Sequence, residues 1–510
     1  MKIVSVRQMR EIEQASVRAG VSLDDLMENA GLAIAEALRD RLPSPGSGPA
    51  LVLVGPGNNG GDGLVAARHL AARGVAVTAY LFLARASEDE KRDLAVDAGV
   101  EIVHAFEDAD RSKLAAAAAE AGVIVDAVLG TGRARPIEPP LSELFAVIRE
   151  HAHAQIVAVD LPTGMATDTG HMDPNGLEAS EILVLGRPKI GLFLEPTGAP
   201  WRFLDIGIPD GLDTRISTEL MTSDSMAGIM PARPARSNKG TYGRALIVAG
   251  SESYVGAAYL AAAAAGRAGA GLVTVAVPDT IYPLIASRLA EATYIPLVEH
   301  GRNAIDSGFA AVQVTDASRM ATGMLIGPGL GRTPSAVEFI RAVLLDRREG
   351  PRLVIDADGL NTLATVEDWP GRVRGPAILT PHPGEMARLR GSTVADVERD
   401  RVHSAQSAAE TWGHIVVLKG ACTVVAHPDG RTAVSPWVNP GMATGGTGDV
   451  LAGMIVGFLA QRIDPFEAAA LGVYAHGLAG DIARRSTGEV AMVAGDVLDS
   501  LPAALRQLSD

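Results

Sequence analysis

The chain has 510 residues, enough at roughly 150 per domain for two or three domains with full cores. Its 47% hydrophobic and 21% charged content is ordinary globular usage, which excludes global disorder. A formal net charge of −15 makes nucleic acid and anionic membrane poor partners, and the single cysteine, Cys422, excludes an internal disulfide or a cysteine-based metal cluster.

The opening MKIVSVRQMREIEQ lacks the uninterrupted apolar stretch of a signal peptide, and nothing approaches the ~18 apolar residues of a membrane span. The longest apolar run, residues 257–266, reads as an alanine-rich helix. A cytoplasmic protein without a membrane partner is the expectation.

A helical preface comes first. Ser5 and Gln8 have capping-box spacing, and a second helix begins after Ser22 with Leu23, Leu26, Met27 and Ala30 on one face. Strands are predicted at 50–54, 75–82, 101–103, 123–129, 155–160 and 182–185, with helices at 63–73, 88–98, 111–121 and 141–149 between them. That alternation predicts a parallel sheet covered on both faces. Strand signals fade after Ile206, and residues 210–224 read as a polar connector. A second series opens near Arg244, with strands at 245–249, 272–277, 324–326, 353–356, 377–380 and 415–419. Two more, 423–426 and 432–435, flank His427-Pro428-Asp429-Gly430, a hairpin signal, and the chain ends helical from 450 to 508. The boundary is expected near residue 215, giving domains over 1–215 and 227–510, both α/β and three-layered.

Candidate sites lie where strands end. Gly55-Pro56-Gly57-Asn58-Asn59-Gly60-Gly61-Asp62-Gly63 follows the first strand and satisfies G-x-G-x-x-G. Glycines let a backbone approach a phosphate, and a helix N-terminus supplies unpaired amides. The acid that a dinucleotide fingerprint needs about 20 residues on is missing, so the dehydrogenase reading weakens. No Gly-Lys pair occurs, which excludes a Walker loop. Asp126 leads into Gly130-Thr131-Gly132-Arg133, and Asp160 opens Asp160-Leu161-Pro162-Thr163-Gly164. Ligands of open α/β sheets bind beyond such strand ends, although each aspartate alone also suits a helix cap or turn.

These motifs resemble the NAD(P)H-hydrate epimerase family over residues 1–215. The resemblance implies a Rossmann-like domain that interconverts the R and S hydrates of NADH and NADPH, in which water has added at C6 of the nicotinamide. By the same resemblance, Asn58, Asn59, Gly60, Gly61 and Asp62 hold the hydrate together with Gly130, Thr131, Gly132, Arg133, Ala134, Arg135 and Pro136. Asp160 contacts it and shuttles the proton. Asn59, Asp126 and Thr163 would ligate K⁺, for which an oxygen-only set is chemically apt.

In the second half, Asn439-Pro440-Gly441-Met442-Ala443-Thr444-Gly445-Gly446-Thr447-Gly448-Asp449 precedes an apolar helix. Glycine amides there form an anion hole, and a first-turn aspartate suits a base for a substrate hydroxyl. With Lys239-Gly240-Thr241-Tyr242-Gly243, Gly327-Pro328-Gly329-Leu330-Gly331, Thr380-Pro381-His382-Pro383-Gly384-Glu385 and Leu418-Lys419-Gly420, it resembles the ADP-dependent NAD(P)H-hydrate dehydratase family across 227–510. That implies a ribokinase-like domain dehydrating the S hydrate with ADP and Mg²⁺. Lys419, Gly420, Ala421, Cys422, Thr423, Gly446, Thr447 and Gly448 would contact nucleotide. Gly256, Gly329, Gly331, His382 and Asp449 would line the hydrate pocket, with Asp449 catalytic. Asp356 and Glu385 suit a magnesium and water network, and His382 has a buried structural role as its competitor. A homo-oligomer is expected. An ordinary small-molecule kinase in the second half, and a nucleotide-sensing module in the first, are the competing readings.

Overall fold

The computed structural model describes residues 1–39, 41–42, 48–83, 89–131, 136–195, 198–301, 304–345 and 350–509. It divides into two compact units, Lys2–Ser217 and Thr218–Asp510, the latter together with Met1.

In the first unit α1 (Val6–Arg18) starts on the expected capping box, Gln8 N–H donating to Ser5 Oγ and Ser5 N–H to Gln8 Oε1. Then follow α2 (Leu23–Arg39), β1 (Ala50–Val54), α3 (Asn58–Ala71), β2 (Val77–Leu81), α4 (Glu90–Asp97), β3 (Glu101–His104) and α5 (Ser112–Glu120). The unit closes with β4 (Val123–Ala127), α6 (Leu141–His151), β5 (Ile156–Val159), β6 (Glu181–Leu185) and β7 (Trp201–Leu204). All seven strands pair in parallel, in the order β3-β2-β1-β4-β5-β6-β7. Along β1, Val52 and Val54 face one core while Leu51 and Leu53 face the other, so both faces are buried as a doubly wound sheet requires. The order reverses between β1 and β4, and such a switch point opens a crevice at the strand ends.

The second unit contains β8 (Thr218–Leu220), α7 (Ser223–Ala227), β9 (Arg244–Val248), α8 (Val255–Arg267), β10 (Leu272–Pro278), α9 (Tyr282–Ala286), β11 (Thr293–Leu297) and α10 (Ser307–Ser318). Next come β12 (Gly323–Ile326), α11 (Pro334–Leu345), β13 (Arg352–Ile355), α12 (Asp358–Leu363), α13 (Trp369–Arg372), β14 (Ala377–Leu379), α14 (Pro383–Arg390), α15 (Val394–Arg399) and α16 (Arg401–Trp412). The unit ends with β15 (Ile415–Leu418), β16 (Val424–Ala426), β17 (Thr432–Val434), α17 (Thr447–Ala460), α18 (Pro465–Thr487) and α19 (Ala494–Ser509). Its ten strands run β11-β10-β9-β12-β13-β14-β15-β16-β17-β8, parallel from β11 to β15 and antiparallel through the β16–β17 hairpin. Ala245 and Ile247 face one core, Leu246 and Val248 the other.

Several expectations need correction. The segment 210–224 is not all connector: Thr218, Glu219 and Leu220 form β8, paired in parallel with β17. Edge strands β7 and β11 were not expected, because Trp201, Arg202 and Phe203 are exposed and β11 is buried fully only at Leu297, so neither carries a core-type apolar run. The helix expected from Gly63 begins at Asn58, and the one expected from Val450 begins at Thr447. Leu23 is half exposed and lines a cavity with Met27 instead of joining the core.

Candidate active sites

In the first unit the glycine-rich segment is itself the opening turn of α3, with Gly57 as N-cap and Gly61 N–H bonded to Gly57 O. First-turn amides have no helical acceptor, so the turn forms an anion cradle. It borders a cavity of about 840 Å³ lined also by Gly130, Thr131 and Asp160. Asn58, Asn59 and Asp62 line this cavity, whereas Gly60 and Gly61 are buried in the turn. Burial and the nearby Asp160 push the Asp62 carboxyl well above the usual range. Pro136 is exposed and does not line the cavity. Gly132, Arg133, Ala134 and Arg135 lie outside the described residues.

Asp126, fully buried at the end of β4, accepts from Thr163 Oγ1 at 2.6 Å, Thr163 N at 2.8 Å and Val128 N at 3.2 Å. Burial raises its carboxyl to about 6 against these hydrogen bonds. Thr163 Oγ1 also accepts from Leu129 N at 3.0 Å, and the next residue, Gly130, packs so closely on the Asn59 amide that a Cβ would stand 2.9 Å from Asn59 Oδ1. Asn59, Asp126 and Thr163 thus belong to one buried run of oxygen donors, and Asn59 Nδ2 makes no hydrogen bond within it.

Asp160 sits in the left-handed region (φ 68°), an uncommon conformation for a non-glycine residue. Its carboxylate pairs with Lys189, a fully buried lysine that motif reasoning missed. Glu13 of α1 also borders the cavity, its carboxyl raised chiefly by burial. A lysine directly after the apolar strand β6, in Gly186-Arg187-Pro188-Lys189-Ile190-Gly191, was the one available signal.

In the second unit, a cavity of about 680 Å³ brings together His382, Lys419, Gly420, Ala421, Thr423, Thr447 and Gly448. Cys422 does not join them: its thiol is turned into the core and burial pushes it up to about 12, so only its backbone can face a ligand. Gly446 is the N-cap of α17 at φ 95°, where a side chain would also strike Leu260. That left-handed turn aims the Thr447 and Gly448 amides along the helix axis.

Lys419 Nζ donates to Asp356 Oδ1 at 2.7 Å and stands 3.8 Å from Glu385 Oε2. Burial lowers the Lys419 ammonium, but the Asp356 and Glu385 carboxylates outweigh it and raise it. Asp449, in the first turn of α17, has no such direct ion pair among the described residues. Burial first and Asp356 second push it up to about 7, with Lys419 opposing. His382 is not the buried structural residue of the competing reading. Its side chain is half exposed and caps α14, accepting from Gly384 N at 3.0 Å, while its own N–H donates to Glu385 Oε2.

Gly256, Gly329 and Gly331 stand apart from the cavity lining, and so do Gly446 and Asp449, which adjoin it through Thr447 and Gly448. Gly331 N–H donates to Asp358 Oδ2 at 2.8 Å, and Gly329 lies against Tyr254, an exposed ring. Two cavity groups were missed by sequence reasoning. His476 of α18 is buried with Nε2 lacking a partner, its ring lowered to about 4 by burial, and Trp437 Nε1 is likewise buried and unbonded. Among the described residues no helix is long and apolar enough to cross a membrane.

Fold and sites together define a class: a Rossmann-like unit and a ribokinase-like unit in tandem, each setting a carboxylate beside a glycine-rich helix N-terminus. Residues 23–191 match the family described as YjeF-related protein N-terminus, and residues 245–503 match NAD(P)H-hydrate dehydratase. Over 528 aligned residues the chain is 39% identical to the bifunctional NAD(P)H-hydrate repair enzyme of Moorella thermoacetica, covering 100% of this chain and 98% of that one. The chain belongs to this family of bifunctional NAD(P)H-hydrate repair enzymes. An ADP/ATP-dependent NAD(P)H-hydrate dehydratase from Bacillus subtilis, crystallised with ATP and Mg²⁺, is 33% identical with a TM-score of 0.50, covering 57% of this chain and 98% of its own. A ribokinase-like protein from Enterococcus faecalis also has a TM-score of 0.50, at 28% identity over 57% of this chain and 97% of its own.

Proposed function

We infer that this chain repairs hydrated NADH and NADPH in two steps. Residues 1–215 interconvert the R and S hydrates, and residues 227–510 remove water from the S form at the expense of ADP, giving AMP and phosphate. The observation that carries the reading is a full-length relative of that name matched by a glycine-rich helix N-terminus in each unit, bordered by the Asp160 cavity in the first and bearing Asp449 in the second.

In the first unit, Asn58, Asn59, Gly60, Gly61 and Asp62, with Gly130 and Thr131, would hold the hydrate. Asp160 then needs to move one proton between adjacent atoms. Its carboxylate takes the C6 hydroxyl proton as the C6–N1 bond opens to an aldehyde and passes that proton to N1. Rotation about C5–C6 and the reverse steps give the other epimer. Asn59, Asp126 and Thr163 suit K⁺, since a deeply buried carboxyl beside neutral oxygens favours a hard cation. Bound there, the ion would supply positive charge near the substrate.

In the second unit, the amides of Gly446, Thr447 and Gly448, with Lys419, Gly420, Ala421, Thr423 and the backbone of Cys422, would hold the ADP phosphates. His382, Gly256, Gly329 and Gly331 would flank the hydrate. Asp449 accepts the C6 hydroxyl proton as that oxygen attacks the β-phosphorus and AMP departs. The ring nitrogen lone pair then expels phosphate from C6, and a proton leaves C5 to restore the dihydronicotinamide. Asp356 and Glu385 outnumber their one lysine and suit Mg²⁺, which would neutralise phosphate charge.

Chemically hydrated NADH of mixed configuration, incubated with the protein, ADP and Mg²⁺, tests the reading. Complete recovery of NADH absorbance is expected. Fast recovery of the S portion alone removes the epimerase, and no recovery with ADP or ATP removes repair altogether. A cytoplasmic site and a homo-oligomeric state belong to the same reading, the latter checked by light scattering during size-exclusion chromatography.

A further inference from the structure

The proton step just described needs one carboxylate oxygen within reach of two neighbouring substrate atoms, and Asp160 is held in a way that supplies it. Lys189, in the chain beyond β6, is 1% exposed, and its Nζ donates to Asp160 Oδ1 and, at 2.8 Å, to Leu185 O. Leu185 N–H donates to the same Oδ1 at 3.2 Å, and Asp160 N–H donates to Leu183 O at 2.7 Å. Backbone and one carboxylate oxygen are therefore both anchored to β6 and the chain that follows it. Oδ2 makes no hydrogen bond among the described residues, and the side chain lines the cavity. Lysine is almost never so buried unless its charge is paired, and Asp160 supplies that pair. The charged groups facing it are Arg10 and Glu13 from α1, Asp62 from α3, and Asp160.

Resting on the reading of Asp160 as proton shuttle, we propose that Lys189 is the positioning residue of the epimerisation, locking Asp160 Oδ1 so that Oδ2 alone carries the proton between the C6 hydroxyl and N1. Lys189 keeps its own proton throughout, and the transfer is complete within the carboxylate.

The test uses the full chain and the isolated R hydrate, with R and S resolved chromatographically, and compares K189M, D160N and K189M/D160N. K189M is expected to lower kcat for R-to-S conversion about 100-fold with KM nearly unchanged. Its rate–pH curve moves to higher pH, because the Glu13 and Asp62 carboxyls facing the cavity lose the positive charge that lowers them. The double variant is expected to match D160N, since Lys189 acts only through Asp160. Recovery of the S hydrate with ADP stays at the parent rate in all three and reports an intact second unit.

An unchanged kcat in K189M, or a loss confined to KM, overturns the proposal. So does a double variant slower than D160N by the whole K189M factor, which would make Lys189 act independently. D160N at the parent rate overturns the shuttle reading itself, a separate outcome. If K189M alone fails to fold, the double variant, which removes both charges together, still carries the comparison with D160N.

Discussion

The two helix N-termini share a plan and differ in where the lysine goes. In the first unit, Lys189 lies directly on Asp160, the carboxylate beside the cradle. In the second, Lys419 lies on Asp356, and Asp449 is left to burial and to its acidic neighbours. One arrangement fixes a carboxylate in place and the other poises a carboxylate near neutrality. A glycine-rich turn therefore provides the site for an anion, while the placement of one ammonium decides what the adjacent acid can do.

The sharpest way to break this contrast is Asp449→Asn. Dehydration with ADP should fall by about 10³-fold while ADP affinity changes little, as followed by NADH absorbance and calorimetry. Lys419→Met comes next. ADP affinity should drop by about 100-fold, and stability in denaturant should fall by about 3–5 kcal/mol, because Asp356 is left buried and unpaired.

The pH dependence is the third. Asp449 must be ionised to accept a proton, so the dehydration rate should rise about tenfold per pH unit up to about 7 and then level off. Stability runs the opposite way. A carboxyl raised from 3.8 to about 7 in the folded state stabilises at low pH, and that contribution is lost as pH rises through about 7. Asp449→Asn should consequently melt higher than the parent at pH 8 in a thermal scan. A smaller effect is expected from Gly448→Ala, whose Cβ would meet only Lys419 Nζ at 3.5 Å. ADP should bind about tenfold more weakly at unchanged Tm. Cys422→Ala should cost about 1 kcal/mol and leave both activities intact, and in the native protein the thiol should resist alkylating reagents.

Much of this architecture was legible because buried parallel strands are short continuous apolar runs between turns, as at β1, β4, β9 and β12. Edge strands β7 and β11 escaped because only their inner side is covered. Glycine-rich turns were legible as sites, but not as the first turns of α3 and α17, since glycine is a poor helix former and only tertiary packing holds it there. Lys189 illustrates a different limit. Residues 160 and 189 meet because β5 and β6 are neighbours in the sheet, and no local spacing records that adjacency. His476 and Trp437 came to the second cavity by the same route, through the packing of α18 against the segment after β17.

α17 brings out one more property of the chain. Gly453 rides so close to α8 that a Cβ would fall 2.2 Å from Ala261 O, and at Gly457 it would fall 2.7 Å from Ala265 O. With aromatics only 4% of the chain and 56 glycines, interior volume here is filled by backbone meeting backbone instead of by large rings. Such a molecule is more vulnerable to added bulk than to lost bulk: a methyl group two turns beyond the phosphate cradle would tilt the whole rod that carries Asp449 and disarm chemistry it never touches.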